Sequence, residues 1–159
     1  MIHLIDFNHA SPELRKLITS ERTIEDDERM YALFEAIPKH NIYHDTYGPG
    51  SALAQLGLSW WRDVVPKLDE NFVLSPEDCL AVVEMISSFM PPAPSKVIAA
   101  IGEGTELAYC AETYPEAQTV RDPSLPYDTE EMSTLYFRLG FLVSFLQCVS
   151  KGNGIVVSP

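Results

Sequence analysis

The stretch His40-Asn-Ile-Tyr-His44-Asp45 holds the residue types best suited to chemistry in this chain. Two imidazoles four residues apart, with a carboxylate beside the second, are the right ligands for a divalent metal. His3 and His9 are the candidates for a further ligand. The spacing works only if the segment is helical. Pro38 stands before it and Gly48-Pro49 after it, and no glutamate completes an H-E-x-x-H pattern. The competing reading is a pair of histidines that hydrogen-bond loop backbone. The same loop runs on through Tyr43, Asp45, Tyr47, Gly48-Pro49-Gly50 and Ser51, so a Ser-His-Asp set exists in composition. A nucleophile elbow of the G-x-S-x-G type does not, and the loop reads as structural.

The H-x3-H spacing resembles, over these few residues, the DinB-like helical bundles. That likeness implies a small metal-binding or metal-dependent bundle using His40, His44 and Asp45. Gly102-Glu-Gly104 fails as a dinucleotide fingerprint, because position 107 is Leu107, and no Walker lysine pattern follows. Cys79, Cys110 and Cys148 form no CxxC pair and sit among apolar neighbours, as reduced core thiols do. Trp60 and Trp61 are adjacent. The favoured reading buries both between different layers of a helical core; the competing one, since neighbours on a helix point about 100° apart, puts one of them at the surface as a contact anchor. A homo-oligomer contact through this pair is one consequence.

The elements that must position these residues read mostly as helices. Ser11-Pro12-Glu13 opens a helix from Pro12 to about Ile18, with a serine cap and proline in the first turn. Thr23-Ile-Glu-Asp26 caps a second, which runs to Ile37 with Met30, Leu33, Phe34 and Ile37 on one stripe and Glu25, Glu28, Arg29 and Ala32 on the other side. Residues 38–51 read as a shaped loop. Short helical pieces follow over Ala52–Leu56 and Ser59–Val65. Ser75-Pro-Glu-Asp78 starts a third long helix, ended by Pro91-Pro92. Residues 96–113 are ambiguous between two kinked helices and a hairpin, and 114–127 read as a surface loop. A final helix of about 20 residues starts at Thr129. Past the capping acids Glu130 and Glu131 it is apolar on every side, carries Arg138 as its one further charge, and belongs at the centre of a domain. The expectation is one compact, mainly α domain over residues 1–159, with about six helices around the last one. Pairing of Ile2–Ile5 with Ile155–Val157 is a minor terminal addition.

Composition narrows the function. The chain has 159 residues, 23 Asp+Glu against 11 Lys+Arg, and a net charge of -12. A surface that acidic excludes nucleic acid as a direct ligand. The longest apolar stretch, Leu139 to Val149, falls short of the roughly 20 residues that cross a bilayer, and the first residues lack a signal-peptide pattern, so a cytoplasmic protein is expected. Glu103, Glu106, Glu112, Glu116, Asp122, Asp128, Glu130 and Glu131 crowd one region, with Tyr109, Tyr114 and Tyr127 among them and Arg121 the single base. A second run is Glu25-Asp-Asp-Glu28. Such a surface suits docking to a basic protein by mimicking phosphates; the competing reading is that the acidity only keeps the protein soluble. In being small, acidic and motif-poor the chain resembles bacterial immunity proteins. That likeness implies a non-enzymatic inhibitor, free of cofactors, that blocks a basic toxin such as a nuclease through those residues together with Trp60 and Trp61. The alternative is the metal-dependent enzyme with His40, His44 and Asp45.

Overall fold

The computed structural model describes residues 1–46, 48–89, 97–98, 120–121 and 130–158, with side chains in the last helix from Leu139 onward. Strand β1 (Ile2–Asp6) leads into α1 (Pro12–Thr19) and α2 (Ile24–Glu35). Strand β2 (Ile42–Asp45) follows, then a run of single turns, then β3 (Val73–Leu74) and α3 (Pro76–Phe89). A two-residue ladder joins β4 (Val97–Ile98) to β5 (Val120–Arg121). Helix α4 (Glu130–Val149) and β6 (Ile155–Ser158) complete the chain.

The helix starts are those written in the sequence. The Ser11 hydroxyl accepts from the Leu14 N–H, ahead of Pro12 in the first turn. At α2 the capping box closes in both directions: Thr23 Oγ1 accepts from the Asp26 N–H, and Asp26 Oδ2 accepts from the Thr23 N–H. Ser75 caps α3 through the Asp78 N–H. Arg29 on α2 forks onto Glu13 on α1 at 2.7 and 3.1 Å, fixing the two helices side by side.

The principal departure from expectation is the sheet. Strands β2-β1-β6-β3 form one four-stranded antiparallel layer, so the fold is not a helical domain with a minor strand pair. Pairing of β1 with β6 does occur, but as the middle of that sheet. Side chains alternate along each strand. One face sends Ile2, Leu4, Tyr43, Leu74, Ile155 and Val157 into a core with α3 and α4. The other sends Ile5, Ile42 and Val156 into a core with Met30 and Phe34 of α2 and Leu14 and Ile18 of α1. Helices thus cover both faces. A strand buried on both sides has no polar alternation to reveal it, which is why this layer reads weakly in the sequence. Within the expected loop 38–51, residues 42–45 are the edge strand β2. Helix α4 is central only in part: it lies on one face of the sheet beside α3, with Leu139, Leu142, Phe145 and Leu146 buried. The ambiguous region 96–113 and the loop 114–127 lie, apart from the short ladder, outside the described residues, and so does the side chain of Arg138.

Gly154 joins three elements. Its φ is +81°, its carbonyl accepts from the Phe7 N–H at 3.0 Å, and a Cβ there would collide with the Leu74 carbonyl oxygen. Gly154→Ala is therefore expected to lower stability by about 2 kcal/mol or more in urea unfolding. Loss of well under 1 kcal/mol would show that the turn relaxes freely.

Candidate functional site

The β1–β2 ladder sorts the residues of the 40–45 segment onto opposite faces. His44 stands opposite His3, and Asp45 opposite Ile2. His44 and Asp45 are neighbours on a strand, so their side chains leave the sheet in opposite directions. His40 sits in the single turn Lys39–Asn41 ahead of the strand. The expected ligand set His40/His44/Asp45 is therefore not assembled. Among the described residues no three His, Cys, Asp or Glu side chains come together as a metal site. The same geometry excludes a Ser51/His44/Asp45 triad. The Ser51 hydroxyl accepts from the Ala54 N–H instead. His9 is held by Asp6 at 3.3 Å, near the far end of β1.

Asp45 has a structural task. It is 6% exposed and lies within a shell of N–H donors. Oδ1 accepts from the Thr46 N–H at 2.9 Å and the Ala52 N–H at 3.1 Å, and Oδ2 accepts from Trp60 Nε1–H at 2.6 Å. One carboxylate thus pins the end of β2, the loop beyond it and the indole of a residue 15 positions on. N–H donors among the described residues, not a cation, satisfy it. The tryptophan pair divides as neighbours in one turn must. Trp60 is 3% exposed and faces Asp45, while Trp61 is 54% exposed in the same π-helical turn (Trp60–Val64).

What His44 meets is His3, from 41 residues away. The two Nδ1 atoms are 2.9 Å apart, one imidazole donating to the other according to tautomer. His3 is buried and stacks on Phe34 of α2, with ring centroids 4.4 Å apart and planes 18° from parallel. His44 is exposed. Burial first, then the neighbouring His44 and the terminal ammonium, push the His3 pKa down from 6.5 to about 4. No sequence signal pairs these two histidines, because the register that does so belongs to the sheet.

The buried cysteines match expectation: Cys79 and Cys148 are buried and in no disulfide, and desolvation pushes the Cys79 thiol up to about 12. Cys110 lies outside the described residues. So do Glu103, Glu106, Tyr109, Glu112, Tyr114, Glu116, Asp122, Tyr127 and Asp128, and the side chains of Glu130 and Glu131.

The second acidic run is described, and its acids have different tasks. Asp26 is engaged by the α2 cap, Asp27 meets Arg22 at 3.5 Å, and Glu13 on α1 meets Arg29. Hydrogen bonds from Thr23 hold the Asp26 carboxyl below its usual range, and Arg29 does the same for Glu13. Glu25, Glu28 and Glu35 make no ion pair among the described residues and are exposed. Ile24, Glu28, Tyr31 and Glu35 follow i, i+4, i+7, i+11 spacing and form one outer stripe. In it Ile24 is 80% exposed and Tyr31 57%. Sequence periodicity placed the inner stripe of α2 correctly but gave no sign that its outer face carries two large apolar groups.

Two outcomes are expected. Asp45→Ala leaves buried donors unmatched and should cost about 3 kcal/mol or more, and Trp60→Phe about 1–3 kcal/mol, in chemical denaturation. His3 has a folded pKa below its unfolded one, so its contribution is complete above pH 6.5. Stability should fall as pH drops from 6.5 to about 4, by no more than about 3 kcal/mol for this group, and the fall should shrink in His3→Leu.

Compared with family models, curated proteins and solved structures, the chain matches none.

Proposed function

We propose that this chain is a non-enzymatic acidic protein-binding module whose partner is a basic protein. One observation carries the reading: along the outer stripe of α2 two carboxylates without an ion pair, Glu28 and Glu35, alternate with the exposed apolar groups Ile24 and Tyr31. Most of the other acids nearby are engaged in capping or ion pairs. A stripe of this kind combines the two things a docking face needs. Carboxylates steer the encounter with a positive partner, and an aromatic and an aliphatic side chain supply area that is desolvated on contact. The chain's net charge of -12 adds a long-range field of the same sign.

The most concrete form of this reading is an immunity-type inhibitor that occludes the substrate cleft of a cationic toxin, for instance a nuclease. Support for that form comes from charge, size and the α2 stripe. No helix among the described residues is long and apolar enough to cross a membrane. The exposed Trp61 is a second anchor for the partner or for another copy of the chain.

The test is kinetic, with the partner isolated on the immobilised protein. The association rate should fall about tenfold or more between low and high salt, with dissociation little changed. Glu28→Lys with Glu35→Lys should reproduce that loss at low salt. Tyr31→Ala should speed dissociation about tenfold while the fold is kept. Association indifferent to salt and to all three substitutions would remove α2 from the interface.

A further inference from the structure

His3 and His44 occupy directly opposed positions on neighbouring strands, so their side chains rise side by side from one face of the sheet. His3 is fixed: it is buried, and its ring lies flat on Phe34. His44 is exposed and borders solvent. Their Nδ1 atoms are 2.9 Å apart, with the two ring planes nearly perpendicular. Imidazole nitrogen binds first-row divalent ions at about 2.0–2.1 Å. Two nitrogens 2.9 Å apart then subtend about 90° at the ion, whereas a tetrahedral ion would need about 3.4 Å between them. The separation matches two cis positions of a tetragonal or octahedral ion.

We propose that His3 and His44 form a two-point chelate, through their Nδ1 atoms, for a divalent ion of the nickel or copper type, with water at the remaining positions. Binding replaces the hydrogen bond between the rings: the donor ring changes tautomer, giving its Nδ1 proton to solvent and taking one up at Nε2, so that two neutral imidazoles turn their Nδ1 lone pairs to the ion with no net proton release. The exposed His44 makes most of the adjustment. A second observation points the same way. Ser158 is 1% exposed, and its Oγ is a buried side-chain atom without a hydrogen-bond partner among the described residues. Ser158 stands opposite His3 in the β1–β6 register, on the same face. An imidazole that gives Nδ1 to a metal carries its proton on Nε2 and is oriented by an acceptor there. The unpartnered Ser158 hydroxyl, opposite His3 in the register, is the acceptor assigned to that proton once the ion is bound. This site is independent of the α2 stripe and of the protein-binding reading.

The test is titration of the full chain with Ni2+ by calorimetry, alongside thermal unfolding at increasing Ni2+. One ion per chain should bind, and Tm should climb with the logarithm of Ni2+ concentration. His44→Ala and His44→Gln, both at an exposed position, should each weaken binding at least tenfold and abolish the Tm response. Ser158→Ala should weaken binding less, about two- to fivefold. Absence of saturable binding to the wild-type chain, or wild-type affinity retained in both His44 variants, would overturn the assignment.

Discussion

Burial of both faces of a four-stranded sheet governs where this protein can put its polar groups. Strand interiors are given to Leu4, Ile5, Tyr43, Val156 and Val157, with helices above and below. Polar side chains that remain inside sit near strand ends: His3 and Asp6 on β1, Asp45 on β2, Ser158 on β6. There Asp6 and Asp45 reach the N–H groups of the turns that follow, and His3 meets His44 across the edge of the sheet. Asp45 is the clearest instance, since its donors come from the chain beyond the strand and from Trp60. Charge in excess of such needs has only the outer helix faces left to occupy.

That constraint separates what the sequence disclosed from what it hid. Local signals were legible. Ser11-Pro12, Thr23 with Asp26, and Ser75-Pro76 each mark a helix start through a hydrogen bond made within three residues. The inner stripe of α2 and the division between Trp60 and Trp61 follow from the turn of a helix alone. Non-local facts were legible only in part. Pairing of Ile2–Ile5 with Ile155–Val157 was expected and occurs, but as the middle of a wider sheet, whose other strands escaped notice: β3 is two residues long, and β2 is framed by Pro38 and Gly48 as though it were loop. The candidate site suffered the same limitation. His44 stood out by its neighbours in sequence, but the group it meets, His3, is chosen by sheet register. The expected ligands His40 and Asp45 are parted from it by a turn and by the alternation of the strand.

The acids of this chain are also less uniform than their number implies. Asp26, Asp45, Asp63 and Asp69 each accept backbone N–H bonds that shape a cap or a turn. Glu25, Glu28 and Glu35 shape nothing of that kind. Net charge describes both groups equally, whereas hydrogen-bond geometry distinguishes carboxylates that build the molecule from those it presents outward. Only the second group is available to a partner.

Strand β6 lies between β1 and β3, and it comes from the far end of the described chain. Neither neighbour can form its inner ladder until residues 155–158 arrive. Closing so long a loop costs only logarithmically more entropy than closing a short one, but the contact must be found late. During synthesis on the ribosome, α1, α2 and β2 can gather on β1 while α3 waits on an unpartnered β3. The apolar residues of α4 then emerge just ahead of the strand that completes their shelter. A nascent chain of this topology stays open along its midline until residues 155–158 are made, and that interval is when it is most exposed to aggregation and to chaperones.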